Sequence, residues 1–257
     1  MYKKILITGS TGSIGSLMPK KNYIIPIFSR LENTEKEIYD EVSKHDADVI
    51  IHLASLTDKK KCENNKLKCY HTNVLGSQKI YSVAKKAKIK RFIFVSSSDV
   101  YEPTNKIKLI NTSHNKKPDS YYSKCKLLTE SRLVELSNNK VTKLSIARVF
   151  NTFSKKIRKG SLEEKVHNLA KFKKIEFIED LNKVRDIISS KEVCNQLIKL
   201  SNSTKFPQFV NICSSKPTLL FDYVNKIYKK YNINFKKLYP YDIPLEKNII
   251  VGKKTIF

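Results

Sequence analysis

The feature that most constrains this chain is its opening, where the apolar run Lys3-Lys-Ile-Leu-Ile-Thr8 leads directly into Gly9-Ser-Thr-Gly12-Ser-Ile-Gly15. A short, continuously apolar run of this kind reads as a buried parallel strand. Glycines spaced three apart behind it permit a tight turn. They let the backbone close on a pyrophosphate at a helix N-terminus, where free N–H groups favour negative charge. Gly-x-x-Gly-x-x-Gly is a variant of the usual dinucleotide fingerprint, and the plain alternative is a Gly/Ser-rich surface turn. The rest of the chain has to separate the two.

Further along, strands and helices alternate. Residues 23–28, 48–53, 91–95, 141–150 and 208–213 read as strands, and 73–90 has helical apolar spacing through Val74, Leu75, Ile80, Val83, Ala84 and Ala87. Another helix runs to Leu136 and carries Tyr122-Ser-Lys-Cys-Lys126, with Tyr122 and Lys126 one turn apart on one face. An ammonium there lowers a phenol pKa from its reference of ~10 and readies it to exchange a proton. The expected fold is α/β: a Rossmann-type doubly wound parallel sheet over residues 1–150, then a small C-terminal substrate lobe over 151–257. Residues near 208–213 are expected to return to the sheet.

With 257 residues the chain can bury one large core and a smaller lobe. No apolar run approaches the ~20 residues that span a bilayer, and the charged N-terminus lacks a signal-peptide core; the expectation is cytoplasmic, with no membrane partner. Cys62, Cys69, Cys125, Cys194 and Cys213 are scattered and never form Cys-x-x-Cys, so neither a disulfide framework nor a metal site is signalled. Cys125 reads as a packing residue pointing away from the Tyr–Lys pair. The net charge of +26 is spread over the whole chain, with no stripe that interleaves aromatics. No specific nucleic-acid partner is expected, although the field would draw in a polyanionic small substrate.

These residues together resemble a known family, the extended short-chain dehydrogenase/reductases of the NAD-dependent epimerase/dehydratase type, which act on nucleotide sugars. The resemblance covers nearly the whole chain. It rests on the glycine turn, Tyr122 and Lys126, on Asp48-Val-Ile-Ile-His-Leu-Ala54, on Asn73-Val-Leu-Gly76-Ser, and on Ser96-Ser-Ser-Asp-Val-Tyr101. Three landmarks of a nucleotide-sugar lobe follow in order: Ala147-Arg-Val-Phe-Asn151, Val184-Arg-Asp-Ile187 and Val210-Asn-Ile-Cys-Ser-Ser-Lys-Pro217. The resemblance implies Ser97, Tyr122 and Lys126 as catalytic residues. It places Gly9, Thr11, Gly12, Ser13, Ile14, Gly15, Ser29, Arg30, Leu53, Ala54, Ser55, Asn73, Tyr122 and Lys126 around the cofactor, and Ser97, Ser98, Asn151 and Arg185 around the substrate. A homodimer serving surface polysaccharide biosynthesis is also implied.

Alternatives stand beside several assignments. Ser96 or Ser98 could replace Ser97, and Asn73 could simply cap its helix. Arg185 could form a surface pair with Asp186 or Glu179 instead of gripping a pyrophosphate. The segment between Gly15 and Tyr23 is short for a first helix, and Pro19 inside it should end or kink that helix.

A ketone accepting hydride develops alkoxide charge, and needs an aimed donor and a proton. Tyr122 would be the acid, Lys126 would tune it and bind the nicotinamide ribose, and Ser97 would hydrogen-bond the same oxygen. Family members that expel water follow the catalytic Thr with an Asp-Glu pair; Ser98 and Asp99 stand there, which argues against a dehydratase. Ala54 to Glu63 is similar to the corresponding loop of deoxysugar 4-ketoreductases. The expected function is NADPH-dependent reduction of a keto group, at C4, on a nucleotide-linked deoxysugar. The alternatives are an NAD-retaining nucleotide-sugar epimerase and a non-catalytic cofactor-binding scaffold. NADP(H) is preferred over NAD(H) because the second strand ends Phe28-Ser29-Arg30, with no acid before Glu32.

Overall fold

The computed structural model describes residues 3–139, 141–153, 161–239 and 248–257. Its strands are, in chain order, β1 (Ile5–Thr8), β2 (Ile24–Pro26), β3 (Val49–His52), β4 (Arg91–Ser97), β5 (Leu109–Ile110) and β6 (Lys143–Val149), then β7 (Asn151–Phe153), β8 (Val184–Ser189), β9 (Phe209–Ile212), β10 (Pro217–Leu219) and β11 (Ile249–Gly252). The helices are α1 (Glu35–Ser43), α2 (Lys59–Asn64), α3 (Lys66–Tyr70), α4 (Gly76–Lys86) and α5 (Tyr121–Leu136), then α6 (Leu162–Lys171), α7 (Ser190–Asn202), α8 (Leu220–Lys229) and α9 (Phe235–Leu238).

Six strands form one parallel sheet in the order β2-β1-β3-β4-β6-β9. Both faces are buried, which is why the strands are apolar throughout rather than alternating. Leu6, Ile50, Phe92 and Phe94 pack beneath α1, α4 and α5. Ile5, Ile7, Val49, Ile51 and Ile93 pack beneath α7. Helices on both faces make the sheet doubly wound, as the sequence leads one to expect. The sheet includes β9, in register with β6 through Ile146 and Phe209. Among the described residues, no helix is long and apolar enough to cross a membrane.

The chain leaves β1 for β2 on one side and re-enters at β3 on the other, so the strand order reverses at β1. The crevice beyond the carboxyl ends of strands at such a switch point is where ligands bind in open α/β sheets.

One expectation needs correction and one alternative falls. No α-helix follows the glycine turn: Gly15–Leu17 is one 3-10 turn, ended at Met18 and Pro19. Proline cannot supply the next N–H, and too few residues separate Gly15 from β2 to build a helix and return. Met18, Ile14 and Leu17 fill part of the space beside α7 instead. Asn73, moreover, is not a helix cap. It lies in a π-turn (His71–Leu75) inside a continuous helical run joining α3 to α4.

A second sheet, β10-β8-β11-β5, is accompanied by β7 paired to β8. Helices α6, α8 and α9 close around Val166, Leu169, Val224, Ile227, Tyr228 and Phe235.

Candidate active site

The glycine turn lies at the carboxyl end of β1, where Gly9 adopts φ +69°. A Cβ on Gly9 would sit 2.6 Å from the Ala54 backbone nitrogen, and one on Gly15 would collide with the Gly9 carbonyl. Turn and β3 end therefore touch backbone to backbone, with no side chain between them. Such a floor admits a pyrophosphate, so the residues present fit a dinucleotide. The grip of a following helix is missing.

The ends of β1 and β3 are tied through His52, which is buried. Its Nδ1 pairs with Thr8 Oγ1 at 2.6 Å and its Nε2 with Ser77 Oγ at 3.0 Å. The Ser77 hydroxyl donates to the Asn73 carbonyl at 2.6 Å, so Nε2–H must be the donor and Nδ1 accepts from Thr8. Burial, with Lys126 nearby, lowers the His52 pKa to about 3, so the ring is neutral. Asn73 reaches the other way: its amide accepts from Leu56 N (2.7 Å) and Ser55 Oγ (2.9 Å), and donates to the Leu56 carbonyl (2.9 Å). The loop along the switch point is thereby held by Asn73 at Ser55 and Leu56, and by Thr8, whose Oγ1 accepts from Ala54 N at 3.2 Å.

At the end of β4 the three serines divide. Ser96 is buried and donates to Glu130 at 2.6 Å; Ser98 is buried as well. Ser97 is half-buried, and its Oγ accepts from Asp99 N at 3.2 Å, which leaves its O–H to donate elsewhere. Helix α5 opens at a Ser120–Ser123 capping box and brings in Tyr122 and Lys126. Lys126 is buried; its ammonium donates to the Val95 carbonyl at 2.9 Å and sits 5.9 Å from the Tyr122 ring centroid. Desolvation, partly offset by Glu130, lowers its pKa to about 8. The Lys126 ammonium and the Tyr122 ring thus sit together against the end of β4, the strand that Ser97 closes, one strand from the switch point.

Asn151 opens β7, exposed, opposite Ile187 of β8; Arg185 lies two residues before that partner. The Arg185 guanidinium donates to the Asn248 carbonyl at 2.6 Å and to its side-chain oxygen at 2.9 Å. Asp186 accepts instead from Ser214 N, Ser214 Oγ and Ser215 N.

The family model described as "NAD dependent epimerase/dehydratase family" matches residues 5–213. The chain belongs to that family. Members are NAD(P)-dependent enzymes of the short-chain dehydrogenase/reductase type, so this chain is placed among nucleotide-sugar epimerases, dehydratases and reductases. An uncharacterized protein of Methanocaldococcus jannaschii is 23% identical over 92% of this chain and 83% of its own. The match to the UDP-glucose 4-epimerase of Rhizobium leguminosarum bv. trifolii spans only 51% of that protein. Two solved structures share the fold. UDP-glucose 4-epimerase from Thermotoga maritima, with UDP-glucose, superposes with a TM-score of 0.82 at 18% identity, covering 98% of this chain and 90% of that one. dTDP-4-dehydrorhamnose reductase from Bacillus anthracis, with NADP, gives 0.82 at 18% identity over 99% and 90%.

Within this family fold, several residues around the site carry no signal in the sequence. Glu41 of α1 accepts from Phe28 N and Ser29 N, each at 2.8 Å, which places a carboxylate at the end of β2. Glu130 and Arg148 form a buried bidentate pair beneath the site. Lys59 meets Asp99 at 2.9 Å, and Glu63 accepts from Tyr121 N at 2.6 Å. Each joins elements distant in the chain, where no local period reaches. The i, i+4 spacing of Lys126 and Glu130 on a strand-facing helix was the one available hint.

Proposed function

We propose that this protein is an NADPH-dependent ketoreductase acting at C4 of a nucleotide-linked deoxysugar. The observation that carries the choice of reductase over epimerase is the single 3-10 turn behind the glycine cradle. An epimerase must retain its cofactor through a full cycle, whereas a reductase must exchange it every turnover. A cradle without a following helix loses the favourable dipole and the stacked N–H groups that hold a pyrophosphate, and that suits exchange. Asp99 is paired with Lys59, and Ser98 is buried, which speaks against a dehydratase acid–base pair there.

When bound, the nicotinamide supplies a hydride to the carbonyl carbon. Tyr122 gives its phenolic proton to the carbonyl oxygen, and the Ser97 hydroxyl donates to that oxygen as charge builds on it. The Lys126 ammonium, fixed by the Val95 carbonyl, holds positive charge beside the phenol and would meet the nicotinamide ribose. Leu53, Ala54 and Ser55 would border the cofactor beside Thr11, Gly12, Ser13 and Ile14. The second sheet with α6, α8 and α9 would be the lobe that receives the sugar nucleotide, with Asn151 and Arg185 toward its diphosphate, whereas α7 and β9 belong to the first sheet. A homodimer in the cytoplasm feeding polysaccharide synthesis fits this reading.

The test is a panel of 4-keto-6-deoxy nucleotide sugars with NADPH, followed at the nicotinamide absorbance. Net NADPH oxidation with freely exchanging cofactor is expected. Purified protein that retains NAD and interconverts sugars without net oxidation sinks the reductase.

One observation favours that second reading: Glu41 puts a carboxylate beside Ser29, where an NAD ribose 2′-hydroxyl would be read. We assign NADPH because Arg30 is exposed at the same strand end, and a guanidinium engages a 2′-phosphate with two donors. A charge-assisted hydrogen bond contributes about 1.5–3 kcal/mol. Arg30→Ala should therefore lower the NADPH/NADH ratio of kcat/KM by roughly tenfold or more, and Glu41→Gln should raise it. An unchanged ratio in Arg30→Ala, or native preference for NADH, removes Arg30 from the site.

A further inference from the structure

Two donors that act on one carbonyl oxygen must be held to within about half an ångström of the productive geometry. Ser97 belongs to the sheet and Tyr122 to a helix, so something must fix one against the other. The later turns of α5 are fixed directly to β4: Lys126 donates to the Val95 carbonyl at 2.9 Å, and Glu130 accepts from Ser96 at 2.6 Å. Neither contact reaches the first turn, where Tyr122 sits, nor the chain beyond Ser97.

Helix α2 reaches both. Lys59 and Glu63 stand at i and i+4, on one face of the helix. The Lys59 ammonium lies 2.9 Å from the Asp99 carboxylate, two residues past Ser97. The Glu63 carboxylate accepts from the Tyr121 amide at 2.6 Å, one residue before Tyr122. Helix α2 itself is anchored: Asp58 caps it by accepting from Lys61 N at 3.1 Å, and the buried Cys62 thiol lies 2.8 Å from the Cys69 sulfur. Cys62, Cys69 and Cys125 form one small apolar cluster with Tyr122, so the brace packs against the residue it positions, and Cys125 faces the Tyr–Lys pair rather than pointing away from it as the helix spacing suggests.

We propose that α2 is a brace that sets the Ser97-to-Tyr122 geometry, with Lys59 and Glu63 as its two positioning residues. The inference rests on the reading that Ser97 and Tyr122 act on one oxygen. Both contacts are solvent-exposed, so each restrains its element rather than locking it.

The experiment combines kinetics of Lys59→Met, Glu63→Ala and Lys59→Arg with amide hydrogen exchange of the unliganded proteins. Lys59→Met should speed exchange in residues 97–101, and Glu63→Ala, which removes the acceptor of the Tyr121 amide, in residues 120–123. Each should lower kcat for keto-sugar reduction by about 3- to 10-fold, since small misplacements of reacting groups are costly, with the NADPH KM unchanged. Lys59→Arg, which keeps the pair, should restore both readouts. Unchanged exchange overturns the brace, as does faster exchange with native kcat. A raised sugar KM at native kcat also overturns it, by making Lys59 a substrate contact. Exchange needs no turnover, so a native protein that reduces no sugar on the panel sinks the reductase while the brace is judged on exchange alone.

Discussion

Tyr122→Phe is expected to abolish turnover while leaving the fold and cofactor binding intact. The substitution removes a single hydroxyl from a buried ring at the front of α5, and the ring still fills its place among Val74, Cys62 and Cys125. What is lost is the phenolic proton next to the Lys126 ammonium, which the proposed mechanism gives to the carbonyl oxygen. Ser97→Ala removes one donor and leaves the acid in place, so about 10²-fold is expected. Lys126→Met should lose both turnover and cofactor affinity, because in the proposed mechanism its ammonium would serve the phenol and the ribose together. The same ammonium sets the pH dependence. With its pKa lowered to about 8 by burial, the charged form is present below that pH and is lost above it. Reduction should therefore be level toward neutrality and fall as pH rises through about 8. Steady-state kinetics across pH, with cofactor binding measured separately by fluorescence, checks all of these. Near-normal turnover in Tyr122→Phe rules the mechanism out.

The parts of this architecture that were legible in the sequence are those written in short segments. Each central strand is a continuous apolar run, because both faces of the sheet are covered. The glycine turn and the Tyr–Lys pair are local by geometry, a few residues apart on one element. The first helix was the hard case. Glycine spacing points to a helix N-terminus, but Pro19 and the short span before β2 leave one 3-10 turn. Local chain length overrode the motif. Asn73 left two readings open, a role at the site or a helix cap; α3, the π-turn and α4 are continuous and its amide is spent on Ser55 and Leu56, which removes the cap. The contacts that organise the site escaped because they join distant segments. Glu41 and Ser29 are linked across a loop, and Lys59 and Asp99 across a strand, a helix and a turn. The serine run shows the same limit: three adjacent hydroxyls are equivalent on paper, and burial with Glu130 distinguishes Ser96 from Ser97.

The largest stability effect is expected at a residue outside the chemistry. Arg148 on β6 and Glu130 on α5 face each other beneath the site, with side chains 3% exposed, and are joined at 2.6 Å from Nη2 to Oε2 and 3.0 Å from Nε to Oε1. The two Nη1 donors go to the Tyr101 hydroxyl at 3.0 Å and the Thr112 carbonyl at 2.8 Å. The ring centroids of Tyr101 and Phe209 each lie 4.9 Å from the guanidinium carbon. Such a pair contributes little net stability relative to apolar packing, because both ions were stripped of water to form it. Removing one partner is another matter: it leaves the other charge buried and unanswered, at about 3–5 kcal/mol. Arg148→Ala and Glu130→Ala should each lower the melting temperature by roughly 10 °C, at ~2–4 °C per kcal/mol for a chain of this size. The Glu130 variant also strips Ser96 of its acceptor and Lys126 of its nearest carboxylate, so its pH profile should fall at lower pH than the native one. The double variant Glu130→Leu/Arg148→Met should be more stable than either single variant, since no charge is then stranded. Denaturant titrations of the three proteins decide the matter: single variants within about 1 kcal/mol of native would mean that water reaches the pair.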